Sequence, residues 1–146
     1  MYAVKDILSE KGYEVVTIGP EATVYEALKK MAGKNIGALL VMKDGNVAGV
    51  FSERDYARKT VLMGKSSTDS KVGELLSDRV FYVKPSTTTT ECMQLMTDHR
   101  VRHLPVIDKD KLIGIVSIGD IVNKIIQGHK KTIQQLEDYI LGKTLP

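Results

Sequence analysis

Hydrophobic and polar positions change period several times along the chain, and each change marks an element. Val15 to Ile18 is a short β-prone run closed by Gly19-Pro20. Val24, Ala27, Leu28 and Met31 then fall at i, i+3, i+4 and i+7, one apolar face of a helix. At its start stands Thr23-Val24-Tyr25-Glu26, a threonine N-cap with a glutamate three residues later. Ala38 to Met42 and Asn46 to Phe51 read as strands joined through Lys43-Asp44-Gly45, and Asp-Gly between two apolar runs is a strong hairpin signal. The order is strand, helix, strand, strand, helix.

That order occurs twice. A shift of 65 residues sets Pro20 on Pro85, Thr23 on Thr88, Glu26 on Glu91 and Met31 on Met96. The same shift sets Leu39 on Leu104, Val41 on Val106, Gly49 on Gly114, Ser52 on Ser117 and Asp55 on Asp120. One register kept over such a stretch is the mark of a duplication. In the second copy Thr88-Thr89-Thr90-Glu91 again reads as a capping box, and Thr89, Cys92, Met93 and Met96 occupy the helical face. Cys92 is thereby placed in a core, where thiols are usually inert.

A short amphipathic segment precedes each copy, Val4-Lys5-Asp6-Ile7-Leu8 and Val72-Gly73-Glu74-Leu75-Leu76, and Gly64 to Ser70 forms a polar linker. After the second copy, Val122, Ile126, His129, Ile133, Leu136 and Ile140 are spaced alternately by four and three, the seam of a packed helix pair. That helix packs either on another subunit or back on its own module, and Gly128 argues against one unbroken helix. The organisation expected is a first motif with its N-terminal segment at 1–64, a linker at 65–71, a second motif at 72–128 and a helical extension at 129–146.

Composition narrows the classes. A 42% hydrophobic and 27% charged chain of 146 residues is an ordinary globular sequence. The net charge of +3 comes without a dense basic run, and aromatics make up 5% with no Trp, so nucleic acid is a poor expectation. A single cysteine rules out an intramolecular disulfide and suits a reducing compartment. The N-terminus lacks the pattern of a signal peptide and no apolar run reaches membrane-span length, so the cytoplasm is the expected location.

Val-Thr-Ile-Gly-Pro, a capped helix, and a strand ending in Gly49-Val-Phe-Ser-Glu-Arg-Asp55 recur with their second copies. Together with His103-Leu-Pro-Val-Ile-Asp108 and Gly114-Ile-Val-Ser-Ile-Gly-Asp120, they resemble the CBS motif, named after cystathionine β-synthase. The resemblance covers nearly the whole chain and extends to small stand-alone proteins with two CBS motifs and no catalytic domain. It implies an α+β fold of two β-α-β-β-α motifs related by a pseudo-twofold axis, plus a C-terminal helix. It also implies clefts between the motifs that bind AMP, ADP, ATP, NAD or S-adenosylmethionine, pairing into a homodimer, and an unidentified partner that is regulated.

Gly-x-x-Ser-x-x-Asp appears as Gly49, Ser52, Asp55 and as Gly114, Ser117, Asp120. A serine where a strand meets a helix offers backbone N–H groups to a phosphate, and the aspartate can accept hydrogen bonds from ribose hydroxyls. The same pattern is equally a plain helix cap with an acidic residue in the first turn. Arg54 lies in a first helical turn, where an anionic ligand or simple exposure would explain a cation. Arg100, Arg102 and His103 crowd the start of a strand, with Arg102 and His103 candidates for phosphate contact. By resemblance, Thr17, Ile18, Tyr82 and Val83 line the adenine pocket. Pro105, next to Leu104, suits an edge or a ligand-facing position. Gly37-Ala38 corresponds to Arg102-His103, and Arg54 to Gly119, so the two sites are expected to be unequal, with NAD as one ligand able to span both.

Neither a phosphate-binding G-x-x-x-x-G-K-[ST] loop nor a G-x-G-x-x-G fingerprint occurs. His99 and His103 do not share a helical face, and no base stands beside a nucleophile, so neither a metal, a required cofactor nor an enzymatic reaction is expected. The competing reading is an assembly protein with vestigial clefts.

Overall fold

The computed structural model describes residues 1–76 and 79–140. Its elements run α1 (Val4–Lys11), β1 (Thr17–Ile18), α2 (Val24–Lys34), β2 (Ala38–Lys43), β3 (Asn46–Ser52) and α3 (Glu53–Tyr56). A π-helical turn, Ala57–Val61, and a 3-10 turn, Val72–Leu75, lead to α4 (Thr89–His99), β4 (His103–Asp108), β5 (Lys111–Ser117) and α5 (Ile118–Ile140).

The 65-residue shift is carried into the hydrogen bonding. Ala38 pairs with Ser52 as His103 pairs with Ser117, and both hairpins bulge at the same place, leaving Ala48 and Ile113 as the extra residues. Thr23 and Thr88 each accept a hydrogen bond from the N–H three residues on, at 3.1 Å. Both hairpin turns have positive φ at two central residues, as the twist of a two-residue hairpin demands. Asp44-Gly45 supplies this cheaply. Lys109-Asp110 makes the same turn without glycine, at a steric cost that the flanking strands impose.

The first strand of the second copy is reduced. In the first copy Leu40 N–H donates to the Val16 carbonyl at 3.1 Å, and β1 runs parallel to β2. Its counterpart is Pro105, which has no N–H to give Phe81. Tyr82 and Val83 therefore form no strand, and Val83 joins Val106 of β4 by a single parallel bridge.

The segments ahead of the copies are exchanged. Val4, Ile7 and Leu8 of α1 are buried with Val83, Cys92, Met96, Leu104, Val106 and Ile121 of the second copy. Val72 and Leu75 are buried with Val24, Met31, Leu39, Val41 and Phe51 of the first. Two reciprocal bridges, Ala3 to Thr88 and Lys71 to Thr23, fix the exchange. The two repeated glycines receive the crossing leucines: a Cβ on Gly49 would lie 2.9 Å from Leu76, and one on Gly114 2.8 Å from Leu8.

α5 runs unbroken through Gly128, contrary to the interruption expected there. A Cβ at Gly128 would stand 2.5 Å from the Tyr2 ring, so the glycine makes room for the N-terminus to cross the helix. Among the described residues, no helix is long and apolar enough to cross a membrane.

Candidate functional site

Both Ser-x-x-Asp sequences are complete capping boxes. Ser52 N–H donates to Asp55 Oδ2 at 2.9 Å and Ser52 Oγ accepts from Asp55 N–H at 3.2 Å. Ser117 and Asp120 repeat this at 2.8 and 3.1 Å. The cap and the ligand reading are compatible, because the bonds from Ser52 use only one oxygen of Asp55. The second oxygen lies 3.7 Å from Lys59. Asp120 holds a closer ion pair, with Lys11 Nζ at 2.6 Å, on the same Oδ2 that accepts from Ser117 N–H. Burial pushes Asp120 upward, but the bonds from Lys11 and Ser117 outweigh it and hold the carboxyl below its ordinary value.

Two clefts lie between the copies. The first, of about 500 Å³, places Ser52, Arg54 and Asp55 of the first copy opposite Arg102 and His103 of the second. Gly37 and Gly49, with Val50 and Val101, add small and apolar surface. Phe81 lines it as well and stacks on His99, with ring centroids 3.9 Å apart. The second cleft, of about 370 Å³, reverses the roles. Ser117 and Ile115 of the second copy face Val16, Ile36, Gly37 and Ala38 of the first, with Lys11, Glu14 and Lys34 at the edges. His103 and Gly37 line both, so they form the wall between the clefts.

The clefts differ most in charge. Arg54, Arg58, Lys59, Arg79, Arg100 and Arg102 line the first against Glu53 and Asp55. Burial and then repulsion from Arg58, Arg102 and Arg100 lower the pKa of Arg54, opposed by Asp55. The 65-residue shift maps Arg54 onto Gly119, Arg58 onto Asn123, Arg100 onto Asn35 and Arg102 onto Gly37. Four guanidinium groups, two from each copy, thus answer to uncharged residues at the equivalent positions of the other copy. His103 is held below the ordinary imidazole value by burial and then Lys11, against the pull of Asp120 and Asp55, with Arg102 adding to the lowering. Cys92 stays outside both clefts, and burial pushes its thiol up to about 11.

Thr17, Ile18, Tyr82 and Val83, expected at an adenine pocket, line neither cleft. Thr17 is half-buried with its carbonyl bonded to Lys30, and Ile18 packs on the first core. Val83 and Leu104 are core residues, Pro105 is buried, and Tyr82 is exposed. The cleft positions are Val16, Val80 and Phe81 instead, just ahead of those named. Gly119 is exposed at the start of α5 and lines neither cleft. Arg58, Lys59, Arg79, Phe81, Lys11 and Lys34 were not singled out by sequence reasoning. A signal for two of them existed: Val4-x-Asp-Ile-Leu-Ser-Glu-Lys11 recurs as Val72-x-Glu-Leu-Leu-Ser-Asp-Arg79, which puts one cation at the same point of each crossing segment. Among the described residues there is no cluster of metal-ligating side chains.

The CBS-domain family model matches residues 4–61 and again 72–127, and the chain belongs to that family. A CBS-domain protein from Arabidopsis thaliana, CBSX3, named as mitochondrial, is 40% identical over 95% of this chain and 72% of its own length. A putative signal-transduction protein with CBS domains from Burkholderia ambifaria is 50% identical, with a TM-score of 0.83 over 86% of this chain and 95% of its own. The CBS-domain pair of protein MJ0100, solved with 5′-methylthioadenosine and S-adenosyl-L-methionine, shares the fold at 22% identity. Its TM-score is 0.75, over 88% of this chain and 98% of its own.

Proposed function

We propose that the chain is a regulatory module that binds an adenine nucleotide in the first cleft and conveys its occupancy to a partner. The observation that carries this is the composite cleft: Asp55 comes from one copy, and Arg102 and His103 come from the other. A ligand there contacts both copies, so binding favours one arrangement of the pair by its differential affinity for that arrangement. The second oxygen of Asp55 takes a ribose hydroxyl, Arg54, Arg102 and His103 take phosphate, and Phe81 with Val101 walls the base. Ser117, Asp120, Gly37 and Ala38 form the corresponding smaller site, with room for the nucleoside end of NAD. The adenosine-containing ligands of the MJ0100 pair are the same chemical class. Nothing in this function calls for catalysis, and a lone buried thiol suits a reducing compartment such as the cytoplasm.

Calorimetry with AMP, ADP, ATP, NAD and S-adenosylmethionine tests the reading on wild type, Asp55→Ala and Asp120→Ala. Losing the bond from a ribose hydroxyl to Asp55 should cost roughly ten- to a hundredfold in affinity. Absence of binding by every nucleotide at millimolar concentration would sink it. An assembly role would then take its place, favoured by the exposed stripe of Val122, Ile126, Ile133 and Leu136 along α5. That stripe has the spacing for pairing with a second copy in a homodimer.

A further inference from the structure

We infer that the first cleft is a polyphosphate site whose ligand is a nucleoside triphosphate, with Arg58 and Arg100 holding its outer phosphates. The inference rests on the nucleotide reading above and names the ligand class of the same cleft. Six Lys and Arg side chains line it against two carboxylates. Among the described residues, Arg54, Arg58, Arg100 and Arg102 form no ion pair, whereas Lys11, Lys59, Lys71 and Lys124 each form one. A monophosphate brings about two negative charges, too few to compensate four crowded guanidinium groups, whereas a triphosphate brings about four.

Two backbone departures bring the outer arginines to the cleft. Residues 57–61 form a π-helical turn, where the equivalent residues 122–126 continue as α-helix. Single π turns inside helices often accompany functional sites. This turn carries Arg58 and Lys59 to the cleft. Its counterpart in α5 instead directs Lys124 to Glu10, 2.5 Å away. Arg100 caps α4 in the left-handed conformation, at φ 54° and ψ 42°. The equivalent cap of α2 is Asn35, a residue that adopts this conformation readily. An arginine at such a position has no local reason to be there, and its guanidinium borders the cleft. Guanidinium groups are suited to phosphate because their fork of N–H donors pairs with two oxygens. The second cleft has Lys11 and Lys34 with Glu14, a poor match for a polyphosphate.

Calorimetry in metal-free buffer with adenosine, AMP, ADP, ATP, NAD and inorganic tripolyphosphate tests the inference on wild type, Arg58→Met and Arg100→Met. Affinity should rise about tenfold from AMP to ADP and again to ATP, with NAD no tighter than ADP. Each variant should weaken ATP about tenfold and change AMP by no more than about twofold. The ATP advantage should shrink as salt rises from about 50 to about 500 mM, because solvent-accessible charges are screened. AMP or NAD binding as tightly as ATP would overturn the inference, as would equal losses for AMP and ATP in the variants. Tripolyphosphate binding without adenosine or AMP would uphold the polyphosphate site and remove the adenine reading. AMP binding with no gain from added phosphates would do the reverse.

Discussion

The two clefts share a backbone plan, and their contrast lies in how each is staffed. Each places the serine of a Ser-Asp capping box from one copy opposite the strand start of the other, with Asp55 lining the first cleft and Asp120 outside the lining of the second. In the first, Asp55 has only a loose lysine pair, at 3.7 Å, and shares the cleft lining with Arg54, Arg58, Arg100 and Arg102. In the second, Asp120 is tied to Lys11 at 2.6 Å, and Asn35, Gly37, Gly119 and Asn123 stand where those arginines would be. Duplication preserved what the fold requires, the caps, the bulges and the glycines that receive Leu8 and Leu76. It left the cleft side chains free to diverge, because these contribute little to the core.

The crossing segments offer the hardest blow to the pair. Leu8 is fully buried against Gly114, whereas Leu76 is only half-buried against Gly49. Leu8→Ala should destabilise by about 2–5 kcal/mol, and Leu76→Ala by distinctly less, as read from urea denaturation midpoints. Equal losses would mean that the two exchanges are energetically equivalent.

The wall between the clefts is sensitive to pH. His103 faces Lys11, Arg102, Asp120 and Asp55, and its folded-state pKa lies below the ordinary value. Without ligand, folding therefore disfavours the imidazolium. Stability is unaffected well above about pH 6.5 and falls as pH drops below it, because the unfolded chain then binds more protons. A phosphate beside His103 reverses the preference, since it favours the charged ring. Affinity for ATP should rise about threefold or more between pH 7.5 and pH 5.5, and His103→Gln should flatten most of that rise. A profile unchanged by the substitution would place the phosphates away from the shared wall.

The smallest effect concerns the lysines. Lys11 and Asp120 have side chains 34% and 23% exposed, so Lys11→Met should cost no more than about 1 kcal/mol. Lys59→Met removes a longer and more exposed pair together with the bond from Lys59 Nζ to the Leu75 carbonyl at 3.1 Å, and should likewise cost no more than about 1 kcal/mol by the same denaturation measurement. A loss well above about 1 kcal/mol for either variant would mean that these lysines carry more of the fold than partly exposed pairs allow.

Much of this was legible in the sequence because it is local. The duplication, the threonine caps, the Ser-Asp boxes and the Asp44-Gly45 turn all follow from spacing within a few residues, where backbone geometry leaves little choice. The inequality of the clefts was visible in Gly37-Ala38 against Arg102-His103. Thr17, Ile18, Tyr82 and Val83, named by resemblance, line neither cleft, whereas Val16, Val80 and Phe81 just ahead of them do, because the faces of an extended segment alternate with each residue. Tertiary structure alone decided that α1 completes the second core and the 72–76 segment the first, since the two apolar segments carry nearly the same pattern and fit either place by composition. It also decided that a π turn swings Arg58 and Lys59 into one cleft, that Lys11 engages Asp120, and that Gly128 admits Tyr2 without breaking a helix. Those contacts join residues far apart in the chain, and sequence periodicity has no term for distance through space.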